Sequence, residues 1–187
     1  MTNPEPCVIS GGWLLVSRLV LSSSTHPSRL PVKNSYRGIS SKQVFLTTTA
    51  MKELRKVLPF TQIRFLCKKK RPGRTFHITT AANSKGEAVV QYFSGATDAF
   101  PASCGSFVTM NNDNSRLARL CHKWGYEKGS YYVAKWGHDG MDRESRLYNL
   151  VAFVRASYHW MNGGGSCECD DHSRSVSPGD FWKVYVR

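Results

Sequence analysis

Cysteine stands at positions 7, 67, 104, 121, 167 and 169, and this even, scattered set constrains the fold more than any other feature. A zinc site needs close pairs of ligands, and here Cys167-Glu168-Cys169 is a lone C-x-C pair. His172 follows three residues after Cys169 and offers a third ligand, but the fourth would have to come from distant chain. No metal site or cofactor is therefore expected, although free buried thiols and metal stay open as alternatives. An even cysteine count in a small, loop-rich chain of β type points to disulfides, and disulfides to an oxidising compartment. Cys104–Cys121 would close a short loop, and Cys67–Cys169 would tie the first hairpin to the end of the domain. Closures of this size stabilise by ~3–5 kcal/mol in the chain-entropy view. Cys7 and Cys167 are left over, and sequence alone leaves other connectivities open.

With 187 residues, 41% of them apolar, the chain is long enough to bury one sizeable core. Its 15 glycines and 12% aromatics suit a sheet with many tight turns, because glycine enters positive φ freely and aromatics favour pleated surfaces. The net charge of +13 invites a nucleic-acid reading, but its distribution argues against one. Residues 1–75 carry 14 Lys or Arg against 2 acids, whereas residues 76–187 carry 12 against 11. A phosphate-gripping domain spreads its basic face across the fold; most of this one is close to neutral.

Between Pro6 and Lys52 there is no acid, while Arg18, Arg29, Lys33, Arg37, Lys42 and Lys52 are all basic. That is the composition of a mitochondrial transit peptide. The apolar run from Cys7 to Val16 offers a competing secretory reading, but Glu5 precedes it and Ser17-Arg18 interrupt it. At about 14 residues it is too short to span a bilayer, and no other segment qualifies. Residues 1–44 are read as a basic, unstructured lead or targeting segment, and 45–187 as one β-rich domain.

Within that domain Thr49 is placed to cap a helix over residues 50–58 that Pro59 ends. Ile63, Phe65 and Cys67 alternate with Gln62, Arg64 and Leu66; a basic Pro-Gly tip follows, then Thr75–Thr79 alternates again, the pattern of a β-hairpin. Ser84-Lys85-Gly86-Glu87 has the form of a capping box before a short helix. Asp113 or Asn114 heads another helix with Leu117, Leu120, Cys121 and Trp124. Tyr131–Trp136, Leu150–Trp160 and Phe181–Arg187 read as strands, the last closing the domain. The fold class expected is α+β: a mostly antiparallel sheet or sandwich with two or three short helices, stapled by disulfides.

Four stretches carry a likeness: Gly73-Arg74-Thr75-Phe76-His77-Ile78, Ala102-Ser103-Cys104-Gly105-Ser106-Phe107, Cys121-His122-Lys123-Trp124-Gly125, and the closing Cys169-Asp170-Asp171 with Ser177-Pro178-Gly179-Asp180-Phe181-Trp182-Lys183-Val184-Tyr185-Val186-Arg187. Over roughly residues 50–187 the chain resembles an uncharacterised, cysteine-containing extracellular domain family of invertebrate animals. The resemblance implies an extracellular compartment. It implies no activity.

The strongest local feature is the basic cluster Lys68, Lys69, Lys70, Arg71 and Arg74 at the hairpin tip. Five summed charges would attract sulfated glycans or another extracellular polyanion; a solvated turn that blocks edge pairing, or a nuclear import signal, explains the same run. Trp136 and Trp160 are candidates for stacking on a glycan. Glu168, Asp170, Asp171 and His172, with Asp180, form an oxygen-rich group suited to Ca²⁺, although turn chemistry accounts for such residues too. For catalysis, His77, His122, His138, His159 or His172 would need Asp98, Asp139, Asp142 or Asp170 beside it, and no G-x-S-x-G elbow is present. The function expected is a secreted, non-enzymatic binding module for glycans or other polyanions. The alternatives are a secreted hydrolase with a His/Asp site and a mitochondrial or nuclear basic protein.

Overall fold

The computed structural model describes residues 8–9, 11–37, 39 and 44–187; Cys7 and Lys42 lie outside them. Eleven strands are defined among the described residues: β1 (Val8–Ile9), β2 (Trp13–Val20), β3 (Ile63–Lys68), β4 (Thr75–Thr80), β5 (Phe107–Thr109), β6 (Tyr126–Glu127), β7 (Ser130–Tyr131), β8 (Ala152–Val154), β9 (Tyr158–Met161), β10 (Glu168–Asp171) and β11 (Phe181–Val186). The main sheet has the order β1-β2-β11-β3-β4-β5, antiparallel throughout. A second sheet runs β10-β9-β8, and β6 pairs with β7. Together with short helices and two disulfides this is the α+β, disulfide-stapled architecture that the sequence predicts.

The hairpin β3–β4 forms as expected, and β11 sits between β3 and β2, from Phe181↔Lys68 to Val186↔Ile63 on one side. Its other neighbour corrects the reading of the N-terminus. Trp13–Val20, assigned to an unstructured lead, is an interior strand paired with β11 from Phe181↔Val20 to Val186↔Leu14. Trp13, Leu14, Leu15, Val16 and Ser17 are all buried. A continuous apolar run is what a strand covered on both faces looks like.

Helix α1 (Thr48–Val57) is capped by Thr47, whose side chain accepts from the Ala50 amide, two residues before the expected cap. Helix α2 (Ser84–Phe93) is capped by Asn83 rather than Ser84, and Glu87 reaches Arg55 at 2.7 Å instead of closing a capping box. A single turn, α3 (Arg116–Arg119), starts at Ser115. Two expected strands break up. Tyr131–Trp136 is strand only at its start, because Tyr132 and Ala134 take positive φ. Leu150–Trp160 is a hairpin that turns through Ala156 at φ 55° and sets Ala152 opposite Trp160.

Both disulfides have the expected partners. Cys67–Cys169 bolts β3 to β10 across 102 residues, and Cys104–Cys121 closes a separation of 17. Cys167 is a buried free thiol, which burial pushes up to a pKa of about 12. The core lies between the inner face of the main sheet and the loop-rich half. There Phe65 meets Phe93, Trp136 and Trp160, and Phe76 meets Trp124 and Trp160.

Candidate functional site

The five cations of the β3–β4 tip divide by strand parity. Lys69 follows Phe65 and Cys67 at two-residue steps and points inward, 1% exposed. Its Nζ donates to Asp171 Oδ2 at 2.7 Å, to the Ser173 carbonyl at 2.9 Å and to the Cys167 carbonyl at 3.3 Å. Arg74 pairs with Asp170, which is fully buried. These two cations anchor the tip to β10 and are not part of an open basic surface. Lys68, Lys70 and Arg71 are exposed.

Residues that the sequence reading passed over extend this basic surface along the outer face of the main sheet. Register and alternation place Arg64, Leu66 and Lys68 of β3 beside Tyr185, Lys183 and Phe181 of β11, with Arg18 of β2 across from Lys183. Among the described residues of these strands the face holds no acid, and Arg64, Lys68 and Lys183 have no carboxylate partner. The Arg64 guanidinium lies 4.3 Å from the Tyr185 ring centroid and 4.7 Å from that of Trp13, while Lys183 Nζ lies 5.0 Å from that of Phe181. The Arg64 and Lys183 head groups therefore each lie over aromatic rings of this face. Burial, and then the nearby charge of Arg18, lower the Lys183 pKa. The signal was in the strand pattern: Arg64 and Lys68 share a face two steps apart, as do Phe181, Lys183 and Tyr185.

The stacking candidates fail. Trp136 and Trp160 are each 0% exposed, because this half of the core has little regular structure and large rings fill its gaps. Trp136 Nε1 donates to Ser106 Oγ at 2.9 Å.

The acids read as a Ca²⁺ group are each held by a different protein partner. Asp170 accepts from the amides of Arg116 and Leu117 as well as from Arg74. Asp171 accepts from Lys69, and Asp180 from the Lys70 and Ser177 amides at 2.8 Å each. Turn and anchor chemistry explains all three. The expected His/Asp pairs do not form among the described residues either. Asp98 takes Arg143 and Arg146, Asp142 takes the Glu144 amide and Ser145, and Asp139 takes backbone amides. His77 Nδ1 meets Asn112.

Two further features are absent from the sequence reading. A cleft of about 210 Å³ is lined by Tyr92, Asp98, His138, Asp139, Arg143 and Arg146, among others; Asp98 pairs with both of its arginines. The second feature is a cluster of two histidines and a glutamate. His159 on β9 is buried, and its Nδ1 lies 2.5 Å from Glu168 Oε2 on β10. His172 Nδ1 is 3.6 Å from Glu168 Oε1, and Ser166 Oγ donates to that same oxygen at 3.2 Å.

No protein-family model, curated protein or solved structure matches the chain. The resemblance to the invertebrate extracellular domains accordingly rests on the four motifs alone. No helix among the described residues is long and apolar enough to cross a membrane.

Proposed function

We propose that the protein is a secreted, non-enzymatic binding module for sulfated glycans or other extracellular polyanions, engaged through the outer face of the main sheet and the exposed part of the β3–β4 tip. The observation that carries this reading is the acid-free run of Lys68, Lys183 and Arg64 across β3 and β11, with Phe181 and Tyr185 between them. Lys183 lies diagonally between Lys68 and Arg64, ~7–8 Å from each position, and these two stand about 13 Å apart along β3. Such an array favours a ligand that carries repeated negative charge. The two disulfides support an extracellular compartment, since such bonds persist outside reducing cytosol.

Retention on a heparin column under a salt gradient tests the reading, with the double variant Lys68→Gln/Lys183→Gln compared against Lys123→Gln. Lys123 is exposed and belongs to the 3₁₀ turn Cys121–Lys123, not to the sheet. The double variant is expected to elute at clearly lower salt, and Lys123→Gln with the wild type. Elution of all three at one salt concentration overturns the proposal.

A further inference from the structure

We infer that His159, Glu168 and His172 form a binding site for one divalent transition-metal ion of the Zn²⁺ type, bridging β9, β10 and the segment after β10. One donor atom from each of the three residues lies within 4.8 Å of the others. Imidazole nitrogen with carboxylate oxygen is a donor set that suits Zn²⁺ and its neighbours in the first transition row, in preference to Ca²⁺ or Mg²⁺. Zinc holds such atoms at ~2.0–2.2 Å, which spaces tetrahedral donors about 3.3 Å apart. The 3.6 Å between His172 Nδ1 and Glu168 Oε1 is already close to that spacing. His159 Nδ1 lies 2.5 Å from Glu168 Oε2, so the buried imidazole and the carboxylate already face one another.

His159 is 6% exposed, and its Nδ1 is the ring nitrogen that faces Glu168. Its surroundings hold it rigidly: Phe153 packs edge-on at 5.7 Å and the His172 ring lies 4.5 Å away. Strand pairing presets the geometry, because the bulge between Cys169 and Asp171 brings Asp171 opposite His159 and leads the chain directly into His172. Three protein ligands leave a fourth position for water or for a donor from a bound partner. The exposed side chain of His172, 52% accessible, marks where that position meets solvent.

Competition between untagged protein and a chromophoric chelator for Zn²⁺ measures the site, with Co²⁺ absorption reporting coordination. One equivalent is expected to bind, and Co²⁺ to give the intense visible bands of a four-coordinate site. His172→Ala, an exposed change that leaves the core intact, is expected to weaken binding at least tenfold, and Glu168→Gln likewise. His122→Ala should change nothing. Absence of binding overturns the inference, as does weak uptake of several equivalents or an affinity that His172→Ala leaves unchanged.

Discussion

Asp170→Asn is the substitution that most directly tests whether the basic hairpin is anchored as described. Asp170 is fully buried and receives the Arg74 guanidinium, the Arg116 amide at 3.0 Å and the Leu117 amide at 2.6 Å. Asparagine preserves the volume, and it tolerates the residue's φ of 52° better than alanine would. Its single carbonyl oxygen can keep one of these donors. Its NH₂ group is then turned against the other donors, and the negative charge is gone. Losing a charge-assisted hydrogen bond costs ~1.5–3 kcal/mol, and leaving a buried amide unpaired costs about 1–3 more. Arg74 is 23% exposed, so water recovers part of the loss; an expected cost of ~3–4 kcal/mol follows. For a chain of this length that lowers Tm by roughly 6–16 °C. Urea and thermal unfolding followed by circular dichroism, with disulfides intact, measure the change. Arg74→Gln should cost less than half as much, because Asp170 keeps its two backbone partners. A loss below about 1 kcal/mol for Asp170→Asn, or a larger loss for Arg74→Gln, would refute the reasoning.

Four further outcomes are expected. A non-reducing peptide map should recover linked 67–169 and 104–121 peptides, with Cys167 alkylated by iodoacetamide at pH 8 only after unfolding, since its thiol is buried with a pKa of about 12; alkylation of all cysteines in native protein would place the chain in a reducing compartment. Deletion of residues 1–20 should abolish cooperative unfolding because it removes β2 from beside β11, whereas a dispensable lead would leave Tm unchanged. Gly86→Ala should destabilise despite alanine's higher helix propensity, since its Cβ would stand 1.8 Å from the Ala81 carbonyl oxygen; a rise in Tm would count against the packing of α2. Hydrogen bonds from Arg143, then Arg146, hold the Asp98 carboxyl below its ordinary value, so its stabilising contribution is complete above the unfolded pKa and is lost as pH falls through the folded one. Asp98→Asn should therefore flatten the acid limb of the stability profile, and an unchanged limb would deny the pairing.

The parts of the fold legible in the sequence are those whose signals are local. Hairpin β3–β4 and strand β11 alternate cleanly and are bounded by Pro-Gly turns, so their positions follow from pattern. The starts of α1 and α2 slip by one or two residues because neighbouring side chains compete for the cap: Thr47, Thr48 and Thr49 are equivalent in sequence, and Glu144 claims Thr49. The hairpin β8–β9 was invisible for a physical reason. Its turn runs through Ala156 at positive φ, and Leu150, Tyr132 and Ala134 also adopt positive φ without the glycine or asparagine that normally announces it. Tertiary packing imposes these turns, so a window of sequence does not carry them.

The candidate surfaces divide in the same way. On β3, strand alternation carries the argument two residues past Cys67. Lys69 shares the inward face of Cys67, and beyond Cys169 the bulge at Asp170 brings Asp171 to it, where they meet at 2.7 Å. The basic tip was thus never five equivalent charges: parity assigns Lys69 to the core and leaves Lys68 and Lys70 to solvent. The same parity adds Arg64 and Lys183 to the open face, which turns a charged loop into a charged sheet. No such extension reaches His159 and Glu168. Their meeting depends on the unannounced turn at Ala156 and on the bulge at Asp170, two non-local features that act together. A site assembled by two such features is found only in three dimensions, and its donors are nine and four residues apart along the chain, spacings that match no metal motif.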